Sequence, residues 1–268
     1  MTQPWKTLAT APTAEGTLDL LRRGEKDYLI TIGGRVLMSS AAHRSEDALA
    51  KLACDAMGDK KRPRVLVSGL GMGYTLRGAL DALPADAAVV VAELNTVVAE
   101  WCEGLLGPLS KFAVRDPRVT MKLVDVAKLI ASTGRDPTGP RFDAILLDMY
   151  EGPQSNVRPG DTIYGLSALQ KTKAALSTGG IFAVWCEGPS AGFERGLKTA
   201  GFTFELQRVG RGSRTHHVYL ARVRPAPRAE QGPGTSKPRR PGPASPRAGE
   251  KPATGARPKA RRPAPRRR

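Results

Sequence analysis

Residues 65–83 read VLVSGLGMGYTLRGALDAL: a short apolar run, a turn with glycine at every second position, then an amphipathic helical pattern. Gly69, Gly71 and Gly73 each lose more backbone entropy on folding than another residue would. The usual reason to place them in one turn is positive φ, or a ligand pressed against the main chain. A strand that stops in such a turn and runs on into a helix is the opening unit of an α/β sheet. It also fixes the end of the sheet at which a ligand sits.

The same alternation continues downstream. The patterns predict strands near 65–68, 88–94, 119–125, 142–149 and 181–186, and helices near 74–83, 96–106, 126–132, 165–176 and 190–200. Two more strands, about 202–209 and 216–223, follow one another with only a short turn and should pair antiparallel at one edge. VVVAEL and AILLD are nearly continuous apolar runs, as expected of strands covered on both faces. The expected fold class is therefore α/β, a doubly wound and mostly parallel seven-stranded sheet. Upstream, the first forty residues read as a mobile arm and then a hairpin, with 28–32 and 35–40 flanking Gly33 and Gly34. Ser45 reads as the N-cap of a helix running to about residue 57, with Glu46 and Asp47 in its first turn.

Charge divides the chain again. Residues 224–268 hold 14 of the 42 Lys and Arg, 2 of the 25 Asp and Glu, and 11 of the 22 prolines. They contain no Val, Ile, Leu, Met, Phe, Trp, Tyr or Cys, so they cannot build a core and are expected to be a disordered basic tail. The expected organisation is 1–60 (arm, hairpin and helix), 61–223 (nucleoside-binding domain) and 224–268 (tail). The tail can neutralise phosphates, so a weak, sequence-independent nucleic-acid contact is one expected partnership. It lacks aromatic residues for base stacking. Cys54, Cys102 and Cys186 lie far apart, and neither they nor His43, His216 and His217 show a metal-ligand spacing. No signal-peptide pattern and no 18-residue apolar run occur, so a cytoplasmic chain with reduced thiols and no membrane contact is expected.

Three nucleotide readings compete for the glycine turn. A phosphate-binding P-loop requires Lys followed by Ser or Thr after the last glycine, and neither stands there. A dinucleotide fingerprint places its third glycine where this chain has Tyr74. What remains is G-x-G-x-G, with Glu93 ending the next strand and Asp125 the one after. A carboxylate at 93 can accept both ribose hydroxyls, and one at 125 can reach an adenine amino group. Together they describe a nucleoside site without phosphate-binding machinery, which points to an S-adenosyl sulfonium compound. Taken singly, either acid would be read as a cap for the following helix.

The stretches 64-RVLVSGLGMGYTLR-77, 92-AELN-95, 116-DPRVTMKLVD-125 and 142-FDAILLDMYEGP-153 resemble the spermidine synthase (polyamine aminopropyltransferase) family, over roughly residues 28–190. That family has the class I S-adenosylmethionine-dependent methyltransferase fold. The resemblance implies a decarboxylated S-adenosylmethionine donor, or S-adenosylmethionine itself, with no metal, and a small amine as acceptor. It implies that Gly69, Gly71, Gly73, Glu93, Asp125 and the backbone of Val126 hold the donor. Asp148 would orient and deprotonate the attacking amine, and Glu151 falls at the family's second substrate-binding acid. Tyr150, Tyr164 and Glu187 are the remaining candidates for the acceptor side, and dimers are frequent in the family. Met72 stands where the family usually carries an aspartate that engages the donor's amino group. That difference keeps methyl transfer from S-adenosylmethionine open as the alternative, beside a non-catalytic protein acting through its basic tail.

Overall fold

The protein is described by a computed structural model covering residues 3–150, 152–154, 157–158, 160–211 and 214–223. Glu151 and the whole basic segment 224–268 lie outside the described residues.

The chain opens with β1 (Lys6–Thr13), β2 (Gly16–Arg23), β3 (Asp27–Ile32) and β4 (Arg35–Ser39), an antiparallel sheet in sequential order. The expectation of a mobile arm is corrected here, since residues 6–23 form two strands of this sheet. Leu18 and Leu20, on either side of the less buried Asp19, are buried, as is Ile30 on β3. That period of two is what a half-covered strand requires. The turns bracketing β2 carry Gly16 and Gly24, both at positive φ, rather than a paired-glycine signal.

Helix α1 (Arg44–Met57) follows, and its cap differs from expectation. His43 occupies the N-cap position; its side chain does not cap the helix and instead meets the Asp47 carboxylate at 2.9 Å. Ser45 lies inside the helix, buried, and donates its hydroxyl hydrogen to Glu46 Oε2 at 2.6 Å.

The remaining elements are β5 (Arg64–Ser68), α2 (Tyr74–Ala82), β6 (Ala88–Glu93), α3 (Thr96–Glu103), β7 (Val119–Leu123), α4 (Val126–Arg135), β8 (Phe142–Leu147), α5 (Leu166–Ala175), β9 (Leu176–Cys186), α6 (Ala191–Ala200), β10 (Phe202–Arg211) and β11 (Arg214–Val223). The seven strands β5–β11 form one sheet in the order β10-β11-β9-β8-β5-β6-β7. The five strands from β9 to β7 are parallel, and β11 and β10 run antiparallel at one edge, as the short final turn predicts.

The continuous apolar strands bury both faces. Val65, Val67, Val89, Val91, Ala144 and Leu146 enter one core cluster, together with α1, α2 and the antiparallel sheet. Their neighbours Leu66, Val90, Ala92, Ile145 and Leu147 enter the other, with α4, α5 and α6. Strand order reverses at β5, which has β6 on one side and β8 on the other. Such a switch point opens a crevice at the carboxyl ends of the strands, the general place for a ligand in this architecture.

Candidate active site

After β5 the backbone turns left-handed three times, with φ of 80° at Gly69, 50° at Gly71 and 81° at Gly73. Space is short at each of them. A Cβ at residue 69 would collide with the carbonyl oxygen of Asp148, at 71 it would stand 2.6 Å from Met38 Sδ, and at 73 it would stand 2.9 Å from Ser110. Conformation favours glycine at all three, and at 69 a backbone carbonyl adds a steric requirement, whereas side chains stand against 71 and 73. Gly69 and Gly71 line a cavity of about 440 Å³ at the carboxyl ends of β5, β6 and β8. Gly73 does not line it and instead starts α2.

Glu93 ends β6, is buried at 7% exposure, and lines this cavity. Its two oxygens are oriented by backbone amides: Leu70 N donates to Oε2 at 2.9 Å and Asn95 N to Oε1 at 2.8 Å. A carboxylate has about four acceptor sites, so both oxygens retain capacity for ligand hydroxyls. Asp125 follows β7 and caps α4, its Oδ1 accepting from Ala127 N at 2.7 Å, and it lines the cavity beside Val126. The cap function and a cavity-facing position therefore coexist in one side chain.

Asp148 stands just beyond β8, on the other side of β5 from Glu93, and lines the same cavity. Thr75 Oγ1, from the first turn of α2, donates to its Oδ2 at 2.5 Å. Burial pushes the Asp148 carboxyl up to about 7; the nearby Glu46 carboxylate adds to the rise, and the Thr75 hydroxyl opposes it. Glu46, on the first turn of α1, is 9% exposed and lines the same cavity. In all, five carboxylates border the cavity (Glu15, Glu46, Glu93, Asp125 and Asp148), and no Lys, Arg or His does so among the described residues. A cavity of this kind favours a cationic occupant.

Tyr150 borders the cavity as well and is 41% exposed. Tyr164 is placed in an adjoining hollow, its ring packed edge-on against Phe193. Glu187 is exposed and borders neither space. Glu46, Glu15, Thr75, Met38 and Trp185 had no sequence signal pointing to the site. Glu46 reads locally as a helix-dipole acid, and Glu15 and Met38 reach the cavity only because the antiparallel sheet folds over it. Among the described residues, no group of three or more His, Cys, Asp and Glu is arranged to hold a metal, and no helix is long and apolar enough to cross a membrane.

No family model matches the chain. Over 140 residues it is 27% identical to polyamine aminopropyltransferase 1 of Pseudomonas aeruginosa, a match covering 52% of this chain and 46% of that protein. The chain thus spans about half the length of this curated relative. Among solved structures, spermidine synthase of Thermotoga maritima superposes with a TM-score of 0.65 at 17% identity, over 81% of this chain and 73% of that one. Human methyltransferase-like protein 13 in complex with SAH superposes with a TM-score of 0.52 at 21% identity, over 72% of this chain and 83% of that one. The chain has the α/β fold shared by spermidine synthases and methyltransferase-like proteins, and about half of it is similar in sequence to a polyamine aminopropyltransferase.

Proposed function

We propose that this chain is an aminopropyltransferase, moving the three-carbon amine arm of decarboxylated S-adenosylmethionine to a small amine. The observation that carries the reading is Asp148: a carboxylate whose proton affinity is raised toward neutrality, beside the glycine turn and on the other side of β5 from Glu93, in the same cavity lining. An amine at neutral pH is mostly protonated and cannot attack carbon until a positioned base takes its proton. In the proposed step the freed nitrogen lone pair forms the new C–N bond as the C–S bond breaks. The bonding pair returns to sulfur, leaving a neutral thioether. Asp148 holds the proton, and no oxyanion stabilisation is needed. Glu93 would hold the ribose, and Asp125 with the Val126 amide the adenine. The anionic cavity suits a sulfonium ligand. Glu151 and the acceptor-side tyrosines belong to this reading as proposals of the same kind.

Methyl transfer from S-adenosylmethionine is the second reading, and Met72 favours it. The side chain at the tip of the turn is fully buried, so the turn offers no carboxylate to a donor amino group. The two are separated by calorimetric titration of the full chain with S-adenosylmethionine, its decarboxylated form and methylthioadenosine. Tighter binding of the decarboxylated donor is expected, and tighter binding of the carboxylated one would move the reading to methyl transfer. Glu93→Ala should weaken all three by roughly tenfold to a hundredfold, the worth of hydrogen bonds to a charged group. A homodimer and a nucleic-acid contact through residues 224–268 are separate proposals that this site does not bear on.

A further inference from the structure

Most of the carboxylates that border the nucleoside cavity are satisfied by their own surroundings. Glu93 and Asp125 accept from backbone amides, Asp148 accepts from the Thr75 hydroxyl, and Glu15 is exposed to water. Glu46 is the exception. It is withdrawn to 9% exposure on the first turn of α1, and its Oε2 accepts from the hydroxyl of the adjacent Ser45. Among the described residues Oε1 has no donor, and no cation pairs with the carboxylate. A buried carboxylate is seldom left without a counter-charge, since removal from water costs far more than one hydroxyl returns.

Packing fixes where this carboxylate stands. The His43 ring, at the start of α1, stacks on Tyr74 with centroids 4.1 Å apart, and Tyr74 is the first residue of α2 after the glycine turn. One turn further on, a Cβ at Gly78 would stand 2.9 Å from Ala50 Cβ, so the two helices approach closely. Burial, with the Asp47 and Glu46 carboxylates, pushes the Tyr74 hydroxyl up, and burial with Glu46 pushes up Asp148. Glu46 is therefore near both, where the turn gives way to α2. The turn brings no acid of its own to this end, because Met72 stands there and is fully buried.

We propose that Glu46 is the counter-ion for the ammonium group at the end of the donor's three-carbon arm, and that it selects the decarboxylated donor. This rests on the aminopropyl-transfer reading, with the nucleoside at Glu93 and Asp125 and its arm running along the glycine turn toward α2. An ammonium offers three N–H donors, so it can satisfy Glu46 while Asp148 is left for the incoming amine. It takes no part in the bonds that form and break. A donor that keeps its carboxylate would bring a further anion beside Glu46 and Asp148, where like charges repel.

The test uses the full chain and three adenosyl thioethers with an uncharged sulfur, so that only the arm differs. They are methylthioadenosine, the thioether bearing a 3-aminopropyl arm, and S-adenosylhomocysteine, each titrated calorimetrically. The aminopropyl compound should bind at least roughly tenfold more tightly than methylthioadenosine, the worth of one charge-assisted hydrogen bond, and S-adenosylhomocysteine should gain nothing. Glu46→Gln should erase most of that gain with methylthioadenosine bound as before, whereas Glu46→Asp, which keeps the charge, should retain part of it. The proposal is overturned if the aminopropyl arm brings no gain, or if the gain survives in Glu46→Gln. Equal or tighter binding of S-adenosylhomocysteine overturns it as well. Loss of methylthioadenosine binding in Glu46→Gln has the same consequence, since Glu46 would then serve the fold. If methylthioadenosine fails to bind the unaltered chain, the donor reading falls and the proposal falls with it.

Discussion

Glu93 and Asp148 border one cavity from strands on either side of β5, each at the carboxyl end of a parallel strand, and the fold surrounds them differently. Glu93 is held by two backbone amides, one on each oxygen. Among the described residues Asp148 has one side-chain donor, the Thr75 hydroxyl; it is half-buried, and the Glu46 carboxylate lies near it. Amides that donate to a carboxylate hold it as an anion in one orientation, which is what a binding group needs. Burial beside a like charge raises proton affinity toward the working pH, which is what a proton acceptor needs. The lesson is that residue type and strand position are shared, and the neighbouring donors divide the roles.

The sharpest way to break this comparison is to neutralise each acid without changing its shape. Asp148→Asn should lower turnover by roughly a thousandfold, within the range for loss of a positioned base, while methylthioadenosine affinity stays within a few-fold of wild type. Glu93→Gln should act mainly on donor affinity. Equal losses of kcat in both variants would show that the two acids are not differentiated in the way described. Full turnover in Asp148→Asn would remove the proposed base altogether.

A second, smaller effect tests whether the turn beneath both acids is rigid for steric reasons. Gly69→Ala places a methyl against the Asp148 carbonyl at a positive φ, so conformation and collision act together. Gly34→Ala meets the same kind of φ, 79°, with nothing within 4 Å. The first should cost roughly 3 kcal/mol and the second about 1 kcal/mol in denaturant unfolding. Similar costs at both positions would mean that the Asp148 carbonyl can move aside, and that the base is less firmly placed than its contacts indicate.

How much of this was legible in the chain depends on the range over which the physics acts. The apolar runs of β5, β6 and β8, the helices between them and the antiparallel edge pair are local patterns, and the structure has them where periodicity places them. The glycine turn was equally plain, although its cause was only half visible. Positive φ can be expected from G-x-G-x-G, whereas the Asp148 carbonyl, Met38 and Ser110 arrive from elsewhere in the chain. β1 and β2 were missed because Leu18 and Leu20 give too short an alternation, with no paired-glycine turn beside it. Glu46 was missed for a different reason. Its helical position explains an acid fully, and only the tertiary packing of α1 against α2 and β8 brings it to Asp148.

Glu46 carries the smallest of the expected effects and the finest test of the comparison. The Asp148 carboxyl titrates at about 7 in the fold against an ordinary value of 3.8, so between those limits the folded chain holds a proton that the unfolded chain has lost. Its contribution to stability is complete below about pH 4 and is lost as pH rises through about 7. Turnover should follow the opposite course, rising as Asp148 deprotonates. Glu46→Gln removes the neighbouring negative charge and leaves burial, the larger cause, in place. The acid limb of the pH–rate profile should therefore move to lower pH without disappearing. The gap in unfolding midpoint between pH 5 and pH 8 should narrow in the same variant, and it should narrow most in Asp148→Asn. A profile that stays fixed while the midpoints shift would assign Glu46 to stability alone, and proton affinity at Asp148 would then be set by burial without help from its neighbour.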